Sequence, residues 1–273
     1  MTLCKKCIMD LSDQDIFFDE NGICNHCYKF ENIQKPNLDK GIQYGIKNLF
    51  NSIKMDNKDQ KYDCIIGLSG GIDSSYLLKI VVDNGLNPLC VHVDGGWNSA
   101  LAVKNIISLV KKLNVDLYTV IIDWQTMKYL QLALLEAGVA NQDVAQDHAY
   151  FANLYLTAKK FKIKTILNGG NISTESVFPS NWHYTAMDGN NIRDIFKKNY
   201  NYKLKNFETM SLFKYYFYYP FFVGQKVLRP LNYINYDKKI AQAELEMIGY
   251  KSYPNKHGES RFTRYFQDHF LPC

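Results

Sequence analysis

Short apolar segments alternate with amphipathic segments between residues 62 and 167. The apolar segments are rich in β-branched residues, as in strands that a parallel sheet buries on both faces. Each amphipathic segment places its apolar residues on one face of a helix. The alternation predicts a doubly wound parallel α/β sheet. The predicted strands are 62–68, 88–93, 116–122 and 165–167, and the predicted helices are 75–82, 101–113, 127–137 and 148–161.

The alternation of apolar and amphipathic segments ends on both sides of this region. The main domain is predicted to span 62–273. Residues 35–61 are polar apart from an amphipathic stretch at 42–53, which predicts a linker with one helix. Aromatic residues crowd an insertion at about 177–235, most densely at 213–222. We expect this insertion to pack against its own domain; the alternatives are that it stacks sugars or bases, touches a membrane or contacts a partner subunit. An edge strand is predicted at 226–231 and a helix at 237–247.

The turn Ser69-Gly70-Gly71-Ile72-Asp73-Ser74 joins the first predicted strand to the first predicted helix. Its two glycines let backbone N–H groups turn inward, and the helix adds the positive end of its dipole, so the turn favours a polyanion. Asp73 and Ser74 fall near the helix cap, where their oxygens can hold a cation or a phosphate. The plain alternative is a Gly-Gly turn with a capping residue.

Two further candidate segments follow predicted strands, and ligands of such sheets bind outside the carboxyl ends of strands. Asp94-Gly95-Gly96 follows the second strand, and Asn168–Glu175 follows the fourth. A carboxylate and an amide near a triphosphate would suit Mg²⁺, which prefers hard oxygen ligands. Each segment can also be a turn or a helix cap without a ligand.

The Ser69–Ser74 turn resembles the S-G-G-x-D-S signature of the PP-loop ATP pyrophosphatases, which adenylate a substrate oxygen and release pyrophosphate. The Gly-Asn-x-Ser-x-Glu run at 170–175 is similar to a motif of ammonia-dependent NAD synthetase. The resemblance implies a HUP-like fold and a site for ATP and Mg²⁺, with Asp73, Ser74 and Glu175 in catalysis. Asp73 and Glu175 would hold the magnesium. The residues implied to bind ATP or pyrophosphate are Leu68, Ser69, Gly70, Gly71, Asp73, Ser74, Asp94, Gly169 and Asn171.

Cysteines form two C-x-x-C pairs near the N-terminus, Cys4 with Cys7 and Cys24 with Cys27. Two such pairs can present four thiolates tetrahedrally to one ion, so we predict a structural zinc ribbon over residues 1–34. Iron or a redox pair is the alternative. His26 lies inside the second pair and is expected to be a bystander. The three other cysteines are isolated: Cys64, Cys90 and Cys273.

Composition and charge disfavour a membrane protein and a nucleic-acid-binding protein. The chain has 273 residues, 47% of them hydrophobic, and a formal net charge of +5. No apolar run is long enough to span a membrane and the first residues do not resemble a signal peptide, so we expect a cytoplasmic protein without a membrane partner. The basic residues are spread out rather than clustered, which disfavours nucleic acid as a partner.

Two histidines outside the motifs are not predicted to be catalytic. His92 falls inside the second strand and is expected to be a core or edge histidine. His148 opens a predicted helix and is expected to cap it or to lie at the surface.

Several segments together resemble one PP-loop family, the N-acetyl sugar amidotransferases of bacterial surface-polysaccharide and nonulosonate pathways. Beside the turn, they are Cys4–Asp10, Phe18–Cys27, Trp182–Tyr184, Arg229–Tyr233 and Lys256–Arg264. The resemblance implies that the enzyme converts the N-acetyl group of a nucleotide-linked sugar to an acetamidino group. Ammonia would come from a partner glutaminase, and a homodimer is expected. Members of the family continue beyond the Phe270-Leu271-Pro272-Cys273 ending, so this chain is expected to be shorter than they are. The residues expected at the sugar substrate are Trp182, His183, His257, Arg261 and Arg264.

Two alternatives remain open from the sequence. A tRNA-modifying PP-loop enzyme, of the thiolation or lysidine type, would share the turn and the zinc knuckles. Thiolases generally carry further cysteines around the active site, and no second C-x-x-C follows the turn here. A zinc-ribbon interaction protein with a degenerate nucleotide fold is the non-enzymatic alternative.

Overall fold

A parallel sheet lies at the centre of the computed structural model, which describes residues 3–175, 179, 185–254 and 257–270. All strand pairs are parallel, and the order across the sheet is β3-β2-β1-β4-β5. The order reverses beside β1, which confirms the predicted doubly wound α/β class. The strands are β1 Cys64–Gly67, β2 Pro88–Asp94, β3 Asp116–Ile121, β4 Thr165–Leu167 and β5 Lys226–Leu228.

Helices cover both faces of the sheet. Along β1, Ile66 contributes to one apolar cluster and Ile65 to another, because successive side chains of a strand point to opposite faces. Among the described residues, every helix is too short or too polar to span a lipid bilayer. The helices are α1 Asn25–Lys29, α2 Lys35–Tyr44, α3 Ile46–Asp56, α4 Ile72–Asp83, α5 Ala100–Leu113, α6 Trp124–Glu136, α7 Val144–Lys160, α8 Ile172–Glu175, α9 Gly189–Asn199, α10 Lys238–Met247 and α11 Arg261–His269.

The segment before the sheet differs from the prediction. The single helix expected at 42–53 is divided at Gly45, whose φ of 81° is a left-handed value that ends α2. A π-helical stretch, Phe30–Gln34, connects α1 to α2, so the domain boundary predicted at residue 34 falls inside a continuous helical segment. The division of the chain into domains stays a prediction.

The aromatic insertion packs against the domain on one side only. Lys214–Val223 forms a π-helix in which Tyr219 is buried and lies 5.3 Å from Tyr155 of α7, measured between ring centroids. Phe221 and Phe222, by contrast, are each 77% exposed. The expectation that the stretch packs against its own domain is therefore confirmed for Tyr219 and wrong for the two phenylalanines.

His148 connects α7 to this insertion. Its Nδ1–H donates to the carbonyl of Ala186 at 2.6 Å, and its Nε2 accepts from the backbone N–H of Met210 at 2.9 Å. Burial lowers the pKa of His148, which favours the neutral ring that this pair of bonds requires. The expected cap or surface role was wrong, because sequence position does not reveal packing by a distant segment.

Candidate functional site

The site lies where the strand order reverses, at the carboxyl ends of β1 and β4. The chain leaves β1 toward β2 on one side, whereas β4 and β5 lie on the other, so the loops after β1 and β4 border a crevice. This is where ligands bind in open parallel sheets. The predicted turn follows β1, and the Asn168–Glu175 segment follows β4.

The turn at residues 69–74 is held by its own serines. The hydroxyl oxygens of Ser69 and Ser74 are 3.2 Å apart, and the backbone N–H of Gly71 donates to Ser69 Oγ at 3.2 Å. Gly70 has φ of 84°, and a Cβ there would lie 3.0 Å from the Cβ of Ala102. Glycine is therefore required at this position by both conformation and space.

Two tyrosines that the sequence did not single out anchor the turn from the C-terminal part of the chain. Tyr250 and Tyr253 both donate their hydroxyls to the carbonyl oxygen of Gly70, at 3.0 and 2.9 Å. Because these bonds occupy the carbonyl, they fix the orientation of the peptide at the turn. No local pattern marks these tyrosines, since the contact joins positions 180 residues apart.

The loop after β4 packs directly on the turn. A Cβ on Gly169 would lie 3.0 Å from the backbone nitrogen of Ser74 and 3.2 Å from the carbonyl oxygen of Asp73. Asn171 is buried, and its Oδ1 accepts from the backbone N–H and hydroxyl of Thr174 at 3.0 and 3.1 Å. Asn171 thus caps the short α8, as in the plain alternative, and its predicted role in nucleotide binding stays a prediction.

Asp73 and Glu175 line the same hollow. Tyr236 donates its hydroxyl to Asp73, and Lys238 Nζ lies 3.9 Å from the other carboxylate oxygen. Partial burial of the Glu175 carboxyl raises its pKa, and the charge of Asp73 raises it further, whereas Arg229 opposes the shift. Two carboxylates line one hollow, and the charge of Asp73 disfavours that of Glu175, so a divalent cation between them would be favourable and the oxygen donors fit Mg²⁺.

The segment after β2 is organised around Asp94 and His92. Asp94 Oδ1 accepts from the backbone N–H of Gly96 at 2.8 Å and from the amide of Asn98 at 3.1 Å. His92 is buried, and its Nδ1 is 3.0 Å from the carbonyl of Leu68, which confirms it as a core histidine. These contacts of the Asp94 carboxylate lie within its own turn, as in the alternative without a ligand. Its predicted role in binding ATP stays a prediction.

A cavity of about 480 Å³ opens beside the turn. Seven residues that the sequence predicted as site residues line it: Leu68, Ser69, Asp73, Ser74, Gly169, Glu175 and His257. It also contains acidic and hydroxyl groups that the sequence did not predict as site residues. These are Asp143, Asp147, Tyr150 and Glu259.

The first turn of α7 brings two aspartates to this cavity. Burial raises the pKa of Asp147 to about 7, and the neighbouring Asp143 adds to the shift. Burial also raises the pKa of Asp143, against the hydrogen bond that its carboxylate accepts from Thr263 at 2.8 Å. A carboxyl with a pKa near 7 can exchange a proton at neutral pH, which is the property of a general base. The helix predicted at 148–161 begins after both aspartates, whereas α7 begins at Val144, so the predicted pattern gave no signal for these groups.

The C-terminal segment closes the other side of the cavity. Glu259 lies against the turn, since a Cβ on Gly71 would be 3.7 Å from the Glu259 carboxyl carbon. Burial acts to raise the pKa of Glu259, but His257 at 3.8 Å, a backbone hydrogen bond and the charge of Lys238 together leave the pKa below its ordinary value. His257 is therefore placed at the cavity with an acidic neighbour.

The two predicted arginines lie outside the cavity. Arg261 donates to the carbonyl of Gly96 at 2.7 Å, and Arg264 pairs with Asp268 at 3.3 Å. Their assignment to a substrate stays a prediction that the observed contacts do not support. Trp182 and His183, predicted at the same substrate, lie outside the described residues.

The four N-terminal cysteines form one cluster whose sulfur atoms all lie within 4.8 Å of one another. Cys4 and Cys27 are 3.9 Å apart, and Cys7 and Cys24 are 3.6 Å apart. Four sulfurs around one Zn²⁺ at 2.3 Å would be separated by about 3.8 Å, so the arrangement fits a closed structural zinc site. His26 instead lies 2.5 Å from Asp13, which agrees with its predicted role as a bystander.

Comparison with known proteins provides no family assignment. No protein-family model matches the chain. An uncharacterized protein of Methanocaldococcus jannaschii is 30% identical over 116 residues, which is 42% of this chain and 40% of that protein. The chain therefore spans about two fifths of the length of the curated relative it matches.

Three solved structures show weak likeness to the chain. NMN synthetase from Francisella tularensis has a TM-score of 0.38 and 15% identity, covering 81% of this chain and 98% of its own. The NH3-dependent NAD synthetase of Campylobacter jejuni has a TM-score of 0.36 and 18% identity, with coverages of 47% and 56%. A predicted tRNA methyltransferase subunit of Methanocaldococcus jannaschii has a TM-score of 0.39 and 15% identity, with coverages of 67% and 75%. At these scores the likenesses carry no argument, and the fold class rests on the observed strand order.

Proposed function

We propose that the protein is a PP-loop enzyme that uses ATP and releases AMP and pyrophosphate. The observation that carries the proposal is the contact between Gly169 and the backbone of Asp73 and Ser74. This contact places an S-G-G-x-D-S turn at the reversal of strand order, opposite the loop after β4. A bare Gly-Gly turn elsewhere in the sheet would not border this crevice.

The residues of the turn have distinct roles in the proposed reaction. The backbone N–H groups and the N-terminal end of α4 stabilise the phosphates, and the Ser69 and Ser74 hydroxyls orient them. Asp73 and Glu175 would hold Mg²⁺, which neutralises the charge of the departing pyrophosphate when it is bound. Tyr236 and Lys238 keep Asp73 in position.

The acceptor in this proposal is the N-acetyl group of a nucleotide-linked sugar, as the sequence motifs imply. The acetamido oxygen attacks the α-phosphorus of ATP and displaces pyrophosphate. Ammonia then adds to the activated carbon and AMP departs with the oxygen, so an acetamidino group forms. A proton released from the nitrogen can pass to Asp147, whose pKa of about 7 suits a base at neutral pH. A separate glutaminase would supply the ammonia.

The test is a product analysis. The protein is incubated with ATP, Mg²⁺, ammonium and candidate UDP- or CMP-linked diacetamido sugars, and products are identified by mass spectrometry. We expect AMP, pyrophosphate and a sugar in which one oxygen is replaced by NH. AMP formation that requires tRNA instead would overturn the proposal.

The isolated cysteines bear on the tRNA-thiolation alternative. Cys64 and Cys90 lie in β1 and β2 and are both fully buried. Burial raises the pKa of Cys90 to about 12 and that of Cys64 as well, so neither is a ready thiolate. Outside the N-terminal cluster, the described part of the chain thus offers no cysteine suited to carry sulfur.

A further inference from the structure

A second hollow, which we call the α2 groove, lies beyond the loop that follows β4. It has a volume of about 570 Å³ and runs between α2 and the 3-10 turn Pro230–Tyr233 that follows β5. None of the residues predicted from the sequence as site residues lines it. Its polar and aromatic walls are formed by Asn37, Lys40, Tyr44, Arg229, Asn232 and Tyr233.

The charge of the groove favours an anion. Lys40 and Arg229 are its positively charged groups, and no carboxylate is among the described residues that line it. Neither side chain makes an ion pair or a hydrogen bond with another described residue, although the positive charge of Arg229 acts to lower the pKa of the nearby Glu175. Guanidinium and ammonium groups together recognise phosphate or carboxylate.

The aromatic wall favours a ligand with a flat or ring-shaped part. Tyr44 and Tyr233 meet edge to face with ring centroids 6.0 Å apart and an interplanar angle of 70°. Tyr44 remains 49% exposed, so part of its side chain is accessible. Exposed tyrosine rings stack on bases and sugars in many nucleotide sites.

The groove is fixed to the proposed ATP site by a short stretch of chain. Gly170 lines the cavity beside the turn, and Ile172 lines the groove. The backbone N–H of Ile172 donates to Asn232 at 2.8 Å, and Arg229 Nε would lie 3.8 Å from a Cβ on Gly170. One loop therefore separates the two hollows.

Close packing preserves this geometry. A Cβ on Gly41 of α2 would lie 2.5 Å from the carbonyl oxygen of Asn232, so only glycine lets the helix approach the 3-10 turn. The helix that continues from the cysteine cluster thus forms one wall of the groove.

We propose that the α2 groove binds the nucleoside phosphate end of the acceptor. Lys40 and Arg229 receive the phosphates, and Tyr44 stacks on the base or its sugar. The acetamido end of the same molecule then extends past Glu175 toward the ATP bound at the turn. This inference rests on the proposed function, because it assigns the binding site of that reaction's acceptor.

Binding can be measured without catalysis. UDP and CMP are titrated calorimetrically into the protein saturated with Mg²⁺ and α,β-methylene-ATP, which keeps the turn occupied. We expect one of them to bind, and Lys40→Glu to weaken that binding about tenfold, the effect of replacing an attraction by a repulsion at a partly exposed site. Tyr44→Ala should weaken it about fivefold through lost stacking.

Matched variants separate groove effects from general ones. Lys47→Glu changes the same charge on α3, and Tyr28→Ala removes an exposed ring of α1; neither residue lines the groove. Both should leave binding within about twofold of the native value. The inference is overturned if neither nucleotide binds, or if Lys40→Glu binds like Lys47→Glu.

The same variants distinguish this inference from the proposed function. If a nucleotide binds and Lys40→Glu weakens it while no acetamidino product forms, the proposed reaction fails and the groove assignment stands. If product forms but the KM of the sugar is equal in Lys40→Glu and Lys47→Glu, the reaction stands and the groove assignment fails.

Discussion

At the scale of single residues, Asp73 contributes both to the start of a helix and to the proposed site. Its position in the first turn of α4 lets its negative charge favour the helix, and Tyr236 and Lys238 hold the carboxylate toward the hollow. A residue needed only for capping would not require partners from a segment more than 160 positions away. We therefore expect a substitution of Asp73 to lower the rate of the proposed reaction while the protein still folds.

We expect Asp73→Asn to lower the rate of pyrophosphate release about 100-fold, because the amide cannot compensate the charge of a magnesium ion. Asp83→Asn, at the other end of the same helix, removes an exposed carboxylate paired with Lys79 and should leave the rate unchanged. A coupled pyrophosphate assay measures both. Retention of more than a third of the native rate by Asp73→Asn would contradict its role.

Asp147 predicts a pH dependence of stability. Its pKa is about 7 in the folded protein against an ordinary 3.8, so between these values the folded state binds more protons than the unfolded state. The stabilising effect of the proton is therefore complete below pH 3.8 and is lost as the pH rises through 7.

Asp147→Asn removes this dependence. As the pH rises from 5 to 8, the melting temperature of the variant should increase relative to that of the native protein. The expected increase is roughly 2–4 °C for each kcal/mol of unfolding free energy that the native protein loses through Asp147. Circular dichroism at a series of pH values provides the measurement. Asp194→Asn, which changes an exposed carboxylate paired with Lys198, serves as control. A melting-temperature gap that does not change with pH would count against the raised pKa.

At the scale of elements, the loops after β1 and β4 act as one unit. Their backbones approach so closely at Gly169 that a methyl group has no space. Strand order creates this proximity, since β1 and β4 are neighbours in the sheet although paired residues such as Ile65 and Ile166 are far apart in the chain. The proposed ATP site is thus a property of two elements rather than of the turn alone.

We expect Gly169→Ala to weaken ATP binding about tenfold and to cost about 1–3 kcal/mol of stability, because the new Cβ meets backbone atoms that cannot rotate away. Gly138→Ala, where the added Cβ meets no atom within 4 Å, should leave the affinity for ATP unchanged. Calorimetric titration with ATP and Mg²⁺ and thermal unfolding test both effects. Native affinity in Gly169→Ala would show that the loop contact does not shape the site.

At the scale of the whole molecule, the cysteine cluster and the α/β domain are joined by the helical segment from α1 to α2. This segment forms a wall of the α2 groove, so the N-terminal module influences a surface beside the proposed ATP site. A structural metal would stabilise a module too small to fold alone and would thereby hold α2 in place.

Loss of metal is measurable directly. The purified protein should contain about one zinc ion per chain, and Cys24→Ser should lose it because three thiolates bind zinc far less tightly than four. His26→Ala, in the same knuckle, should retain the metal. Mass spectrometry of metal content distinguishes the variants. Zinc retained by Cys24→Ser, or lost by His26→Ala, would refute the four-thiolate site.

Much of the architecture was determined by the sequence itself. Four of the five strands were predicted to within about two residues. For β1, β2 and β4 the reason is burial in the sheet, which requires a short apolar run, whereas β3 at the edge of the sheet has no buried residue. The fifth, β5, was predicted as an edge strand but ends at Leu228, where Pro230 begins a 3-10 turn instead. The turn at 69–74 and the paired cysteines were likewise visible as local strings.

Only the tertiary structure decided which of these groups meet. Tyr250 and Tyr253 reach the turn, Asp147 enters the cavity and Arg229 faces the α2 groove through contacts between distant positions, for which a single sequence carries no local signal. The structure also placed Arg261 and Arg264 away from the cavity, although their spacing on one helix suggested a shared ligand. Residue types and their spacing along the chain show which local groups could bind a ligand. Strand order and packing determine which of those groups lie together in one binding site.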